Sequence, residues 1–289
     1  MRPSDVLVRA TRYLDAHGVE SPRETAEVLL QHVLDVDRAG LYARAEGLSS
    51  AEARAFGRAL CRRCTGEPVQ HVTGRQGFHR ISLEVRPGVF VPRPETEVVV
   101  EAGLTLVDDV RDPVVVDVGT GTGAIALAVK NERAGASVWA TDVSADACEL
   151  ARHNASKLGL EVTVVQGDLF DPLPPDLLGT VDLVISNPPY IAASEFDELP
   201  PEVRADPELA LLGGTDVHRR LVKESPRWLR AGGFLVVEIG ADQGEEVAAM
   251  FEGGGFDNVR VLTDLAGRDR VVTGRVVPSE YGPQHGGGR

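Results

Sequence analysis

Residues 114–129 read VVVDVGTGTGAIALAV, and the order of residue types within them decides the fold. Val114, Val115, Val116 and Val118 make a short β-branched run with no polar face, the mark of a strand covered on both sides in a parallel sheet. Gly119, Gly121 and Gly123 follow, and glycine permits positive φ and close approach of a ligand to the backbone. From Ala124 onward the residues favour helix. A strand, a glycine-rich turn and a helix start, in that order, form a crevice for a nucleotide-like cofactor. Gly119, Thr120, Gly121, Thr122 and Gly123 are its candidate contacts. Taken alone, the pattern also fits a nicotinamide dinucleotide site or a turn without ligand.

Outward from this stretch the same alternation continues. SVWATD (137–142), VTVVQGD (162–168), VDLVIS (181–186) and GFLVVEIG (233–240) read as apolar strands, separated by helical stretches such as ADACELARHNASKLG (145–159). Strands alternating with helices imply an α/β domain with a mostly parallel sheet. NVRVLTD (258–264) and DRVVTGRV (269–276) are joined only by LAGR, too short for a crossover, and are predicted to form a C-terminal antiparallel hairpin. The sheet then has seven strands.

The N-terminal part differs. Leu7, Ala10 and Leu14 recur at helical spacing and Gly18 is a helix stop. Ser21-Pro22-Arg23-Glu24 and Ser49 to Glu52 both read as capping boxes. Residues 1–74 are therefore predicted to be a small helical bundle. Ile81, Leu83 and Val85 alternate, Pro87-Gly88 is a turn signal, and Val89 to Val91 return, which predicts a β-hairpin linker over 75–94. The α/β domain then runs from 95 to 278, and 279–289 is expected to be a disordered tail.

The chain has 289 residues and a formal net charge of −14, from 30 Lys+Arg against 44 Asp+Glu. Such a charge repels a phosphate backbone, so no direct nucleic-acid partner is expected. No apolar run approaches a membrane span, and a cytoplasmic monomer is the default expectation. Three cysteines give no disulfide framework, and Cys61 and Cys64 read as ordinary helix thiols rather than metal ligands. No metal site is expected.

Two further strand ends carry carboxylates. Asp142 lies about 20 residues beyond the glycine turn, where it can bind both hydroxyls of a ribose. Asp168 ends the next strand, where it can accept from an adenine amino group. The fourth strand ends in Asn187-Pro188-Pro189-Tyr190, and two prolines without N–H donors cannot continue a central strand. Their chemistry suits methylation of a planar nitrogen. The lone pair of an amide is delocalised, and breaking that conjugation costs about 18–20 kcal/mol. Two rigid acceptors for both N–H hydrogens, the Asn187 side-chain oxygen and the Pro188 carbonyl, localise the lone pair and stabilise charge growing on nitrogen. Tyr190 can stack on the flat group and exclude water.

GTGTGA together with NPPY resembles the class I methyltransferases, whose fold is Rossmann-like and whose cofactor is S-adenosyl-L-methionine, released as S-adenosyl-L-homocysteine. The segments EPVQHVTG, FVPRPETE, ISNPPYI, ELALLGGTDVHRRL, LVVEIGADQG and DLAGRDRVVTG extend the likeness over nearly the whole chain, to the HemK/PrmC family of release factor glutamine methyltransferases. That resemblance implies N5-methylation of the glutamine in the Gly-Gly-Gln motif of class I peptide-chain release factors, gripped by the helical domain. It implies cofactor contacts at Gly119 to Gly123, Asp142 and Asn187, and substrate contacts at Asn187, Pro188, Pro189 and Tyr190. Leu169, beside Asp168, replaces a large aromatic of relatives and implies weaker stacking on adenine. Arg93 and Glu95 are candidates at the methionine end of the cofactor. In RADPELAL, Asp206 is a candidate replacement for a glutamate of relatives, and His218 is expected on a helix surface. The alternatives are a DNA-adenine or ribosomal-RNA amino-methyltransferase, a non-catalytic binding module and a nicotinamide oxidoreductase.

Overall fold

A computed structural model describes residues 1–200 and 203–277, so the expected tail over 279–289 lies outside the described residues. The chain divides into two compact units, one of Met1–Gln76 with Val85–Pro87 and Leu199–Asp206, the other of Gly77–Glu84, Gly88–Glu198 and Pro207 onward.

The first unit holds α1 (Pro3–Ala16), α2 (Pro22–Leu34), α3 (Arg38–Ala43), α4 (Ser50–Cys64) and α5 (Val69–Thr73). Leu7, Leu14, Leu29, Leu30, Leu41 and Phe56 form its core. The two predicted capping boxes part company here. Ser49 caps α4, accepting from the Glu52 N–H while the Glu52 carboxylate accepts from the Ser49 N–H. Ser21 makes no side-chain cap, because its backbone is left-handed (φ 46°, ψ 55°) and turns the hydroxyl away from the first turn of α2.

The β-hairpin also differs from expectation. It is β1 (Arg75–Phe78) with β2 (Ile81–Glu84). The turn sits at His79 (φ 52°), whose N–H donates to Glu97 Oε1 at 2.9 Å. Val89 and Val91 are buried but belong to no strand, and Pro92 and Pro94 remove the donors a ladder would need.

The second unit continues with α6 (Glu97–Leu106), β3 (Val114–Val118), α7 (Ala124–Glu132), β4 (Ser137–Asp142), α8 (Ala145–Leu158), β5 (Val162–Gln166) and β6 (Val181–Ser186). Then come α9 (Glu208–Leu211), α10 (Asp216–Glu224), β7 (Leu229–Glu238), α11 (Gly244–Gly253), β8 (Phe256–Thr263) and β9 (Asp269–Val276). These strands form one seven-stranded sheet in the order β5-β4-β3-β6-β7-β9-β8. The first five are parallel, and β9 runs antiparallel to both β7 and β8. This is the predicted α/β class.

Strand alternation divides the apolar side chains between two layers. Val115, Leu183 and Ile185 point into a core with α6, α7 and α8, together with Phe78 and Leu83 of the hairpin. Val116, Val118 and Val184 point to the opposite face, against Leu221, Val247 and Phe251 of α10 and α11. Full burial of each such side chain contributes roughly 1.5–3 kcal/mol. Sequence order reverses between β3 and β6, and the crevice outside the carboxyl ends at such a switch point is where open α/β sheets bind ligands.

Candidate active site

Val118 of β3 lies opposite Ser186 of β6, and the Ser186 hydroxyl donates to the Val118 carbonyl at 2.7 Å. The glycine turn and Asn187 therefore leave the sheet side by side from adjacent strands. Gly119 and Thr120 both donate their N–H groups to the Thr141 carbonyl, at 2.8 and 2.9 Å, which bends the turn over the end of β4. Gly119 has φ 74° and Gly121 has φ 55°, and a Cβ built on either meets nothing within 4 Å. The turn thus presents open space above bare backbone.

Beneath it, Asp117 is wholly buried and accepts from the Thr120 hydroxyl at 2.6 Å and the Ala126 N–H at 3.1 Å. Burial pushes its carboxyl up to about 7, against those two hydrogen bonds. Asp142 accepts from the Gly121 N–H at 2.8 Å and the Ser144 N–H at 2.9 Å, one per oxygen. These bonds fix the carboxylate, and burial raises its pKa, so a site rich in hydroxyl donors would satisfy it. A ribose edge supplies such donors.

Asp168 is exposed, and Arg220 of α10 donates to both of its oxygens, at 3.1 and 2.9 Å. A base-edge contact at Asp168 would share the carboxylate with this guanidinium, a partner sequence reading missed. Leu169 is half-buried with φ 44° and packs toward the α10–α11 layer.

At Asn187 the geometry is directional. Its Nδ2 donates to the Thr96 hydroxyl at 3.0 Å, and among the described residues Oδ1 makes no hydrogen bond. The Pro188 carbonyl likewise has no donor among the described residues, although Pro188 is buried. Two acceptors on successive residues are thus left available. Pro189 is half-buried. Tyr190 is held at both ends: its hydroxyl donates to Glu238 Oε1 at 3.3 Å and its carbonyl accepts from Gln243 Nε2 at 2.8 Å. Burial, then the Glu238 charge, raise the phenol's pKa, so Tyr190 stays neutral.

Glu238 is 1% exposed at the carboxyl end of β7. Burial pushes it up to about 7, opposed by the Thr96 hydroxyl, by Arg270 and by Tyr190. Neither Thr96 nor Glu238 was singled out from the sequence. Thr96 lies inside PRPETE, next to Glu95, which is exposed, and near Arg93, whose guanidinium sits 5.3 Å above the Phe90 ring. His218 departs from expectation. It is fully buried, and its Nε2 shares a 2.7 Å hydrogen bond with the Glu238 carbonyl, because spacing with Leu221 and Val222 places it on the apolar face of α10. Asp206 is buried in the first unit. Cys61 is exposed, Cys64 half-buried, and no metal-binding group of side chains occurs among the described residues.

Residues 5–74 match the family described as PrmC N-terminal domain, and residues 83–199 match Methyltransferase small domain. The release factor glutamine methyltransferase of Moorella thermoacetica is 44% identical over 271 residues, covering 91% of this chain and 95% of that one. Its counterpart from Streptomyces coelicolor is 42% identical over 276 residues, covering 93% and 96%. Among solved structures, the T. Thermophilus 16S rRNA N2 G1207 methyltransferase, in complex with AdoMet and guanosine, aligns with TM-score 0.54 at 18% identity, over 70% of this chain and 49% of that one, a likeness of fold. The chain belongs to the release factor glutamine methyltransferase family.

Proposed function

We infer that this chain methylates the side-chain amide nitrogen, N5, of a glutamine in peptide-chain release factors, with S-adenosyl-L-methionine as methyl donor. Among its substrates we place the Gly-Gly-Gln glutamine of class I factors. The observation that carries the site reading is the orientation of Asn187, whose Nδ2 is tied to Thr96 and whose Oδ1 is left free beside the Pro188 carbonyl.

The cofactor fits the residues present. Gly119 and Gly121 offer an open backbone cradle, and Asp142 a fixed, half-buried carboxylate for ribose hydroxyls. Thr120, Thr122 and Gly123 shape the same turn, with Thr120 and Thr122 buried beneath it. When bound, the cofactor supplies an electrophilic methyl group on sulfur, and the S–C electron pair returns to sulfur as the C–N bond forms.

The chain's own residues do the rest. Asn187 Oδ1 and the Pro188 carbonyl accept the two N–H hydrogens of the glutamine amide, which turns the nitrogen lone pair out of conjugation and toward the methyl. As positive charge grows on nitrogen, both hydrogen bonds strengthen, so they stabilise the transition state more than the ground state. Pro188 and Pro189 fix φ on either side of the clamp carbonyl and hold its direction. Tyr190, neutral and anchored at Glu238, offers a flat surface for the carboxamide. The nitrogen's proton leaves after the bond has formed, when it is strongly acidic, so the site needs no general base in the transition state.

Incubation with label in the donor methyl and a recombinant release factor, followed by peptide mapping, tests this reading. Label on the glutamine nitrogen supports it. Label appearing in nucleic acid and not in release factor would move the chain to the amino-methyltransferases of DNA or RNA.

A further inference from the structure

We propose that Gln243 is a positioning residue for methyl transfer, whose side-chain amide clips the far end of the Asn-Pro-Pro-Tyr turn to the loop that follows β7. This rests on the reading of that turn as the substrate clamp. A clamp of two acceptors works only while the turn that carries them is held still, since a misplacement of about 1 Å costs as much as about 100-fold in rate. The prolines fix two φ angles but leave the turn's exit, the peptide between Tyr190 and Ile191, to be held by other groups.

That peptide is held at both of its polar atoms. The Ile191 N–H donates to the Leu211 carbonyl at 2.9 Å, and the Tyr190 carbonyl accepts from Gln243 Nε2 at 2.8 Å. Gln243 reaches it from the neighbouring strand end. Ser186 of β6 lies opposite Val237 of β7, so the turn after β6 and the loop after β7 leave the sheet side by side. The loop closes on itself: the Gln243 N–H donates to the Gly240 carbonyl at 3.0 Å, and the Gly240 N–H donates back to Gln243 Oε1 at 2.9 Å. A Cβ on Gly240 would come within 3.2 Å of Gln243 Cδ, so glycine there leaves the side chain room to fold back over the loop. A backbone N–H on one side and a carbonyl on the other admit one orientation of the amide, with Oε1 toward Gly240 and Nε2 toward Tyr190. The half-buried Gln243 thus commits both ends of its carboxamide to backbone groups, one of them 53 positions away in sequence.

The test compares Gln243→Met and Gln243→Glu with the wild-type chain. It measures kcat for methylation of recombinant release factor from about pH 5 to about pH 8, a range that spans raised carboxyl titrations. S-adenosylhomocysteine affinity and thermal midpoint are measured alongside. Methionine keeps the length of glutamine and carries neither an N–H nor an oxygen. Its expected effect is a kcat lower by about 10-fold at every pH, with S-adenosylhomocysteine affinity changed by less than about threefold. Glutamate separates the two bonds. A neutral carboxyl has one O–H and one acceptor oxygen, the same pair that the carboxamide presents. A carboxylate still accepts from Gly240 but has nothing to donate to Tyr190, and the oxygen–oxygen contact raises the introduced carboxyl above the ordinary glutamate range. Gln243→Glu should therefore run within about threefold of wild type near pH 5 and fall to the Gln243→Met level as pH rises to about 8. The groups that titrate or carry charge around this loop are Glu238 of β7, Tyr190, Asp242 in the loop, Glu245 and Glu246 of α11, and Asp269 and Arg270 of β9. All are present in the wild type, so each rate is read as a ratio to wild type at the same pH.

A Gln243→Glu ratio that stays level across this range, high or low, would overturn the clip, because turnover would not follow the ability to donate to the Tyr190 carbonyl. So would a folded Gln243→Met enzyme at wild-type speed. A loss of kcat that only tracks unfolding, seen as a thermal midpoint falling below the assay temperature over the same range, would overturn it equally. Each of these results leaves the Asn187 clamp standing. An Asn187→Ala enzyme at wild-type speed would instead sink the clamp, and the clip with it. Should Gln243→Met not fold, the Gln243→Glu profile decides alone, since its reference is the wild-type chain.

Discussion

Gly213, in the segment leading to α10, carries a sharp prediction about the Asn-Pro-Pro-Tyr turn. It lies against Pro189 so closely that an alanine Cβ at this position falls inside contact distance of the Pro189 carbonyl oxygen, and 3.1 Å from both the carbonyl carbon and Cγ of that proline. Unstrained carbon–carbon contacts sit at about 3.5–4.0 Å, so Gly213→Ala must push the diproline backbone by roughly 0.5–1 Å. Gly213 is not in the left-handed region, so the effect comes from this contact and not from backbone strain at residue 213. The adjoining Pro188 carbonyl moves with the turn. A displacement of that size at a positioning element lowers turnover by as much as about 100-fold, while overpacking destabilises the fold by about 1–3 kcal/mol. The assay is kcat for release-factor methylation, with S-adenosylhomocysteine affinity and thermal midpoint measured alongside. Gly57→Ala is the control, because a Cβ there, on α4, meets nothing within 4 Å. Wild-type kcat in a folded Gly213→Ala protein would refute the reasoning, since it would mean that the clamp tolerates movement.

Other expectations can be checked with the same preparations. Asn187→Ala should lower kcat by about 10²–10³ with cofactor affinity little changed, the size of effect seen on removing one transition-state hydrogen-bonding group. Asp142→Ala should do the reverse, weakening S-adenosylhomocysteine binding in calorimetry, because the carboxylate held by Gly121 and Ser144 is lost. Asp117 should make stability fall with rising pH. Burial raises its folded pKa to about 7, above the usual carboxylate range, so the neutral carboxyl is favoured on folding. The contribution is complete below about pH 4 and is lost as pH rises through about 7, a change of at most roughly 4 kcal/mol at 1.36 kcal/mol per pKa unit. Asp117→Asn should flatten the decline in thermal midpoint between pH 5 and pH 8, and an unchanged slope would assign the pH dependence to other groups.

The parts of the site written in local sequence were the legible ones. A glycine turn after a β-branched strand, and acids or an asparagine at strand ends, need only residue type and spacing to be read. The α/β class and the C-terminal hairpin followed in the same way from Val-rich runs and the brevity of LAGR. Where meaning depended on distant partners, reading failed. Thr96 meets Asn187 across 91 residues, and Arg220 meets Asp168 across 52. Nothing local marks either pair. His218 was legible and misread: its spacing with Leu221 and Val222 already placed it on an apolar face. Ser21 and Ser49 carry the same capping pattern, yet only Ser49 has the extended backbone that lets its hydroxyl reach the helix. In the hairpin, Pro87-Gly88 was a stronger turn signal than His79, but the Glu97 carboxylate holds the actual turn at His79 from 18 residues away.

The most direct measurement is a crystal structure of the chain with S-adenosylhomocysteine and a release-factor fragment bearing the unmethylated glutamine. The expected result has the glutamine side-chain nitrogen about 3 Å from both Asn187 Oδ1 and the Pro188 carbonyl oxygen, facing the cofactor sulfur, with Asn187 Nδ2 still donating to Thr96. A glutamine nitrogen bound away from that turn, or facing Asn187 Nδ2, would contradict the clamp.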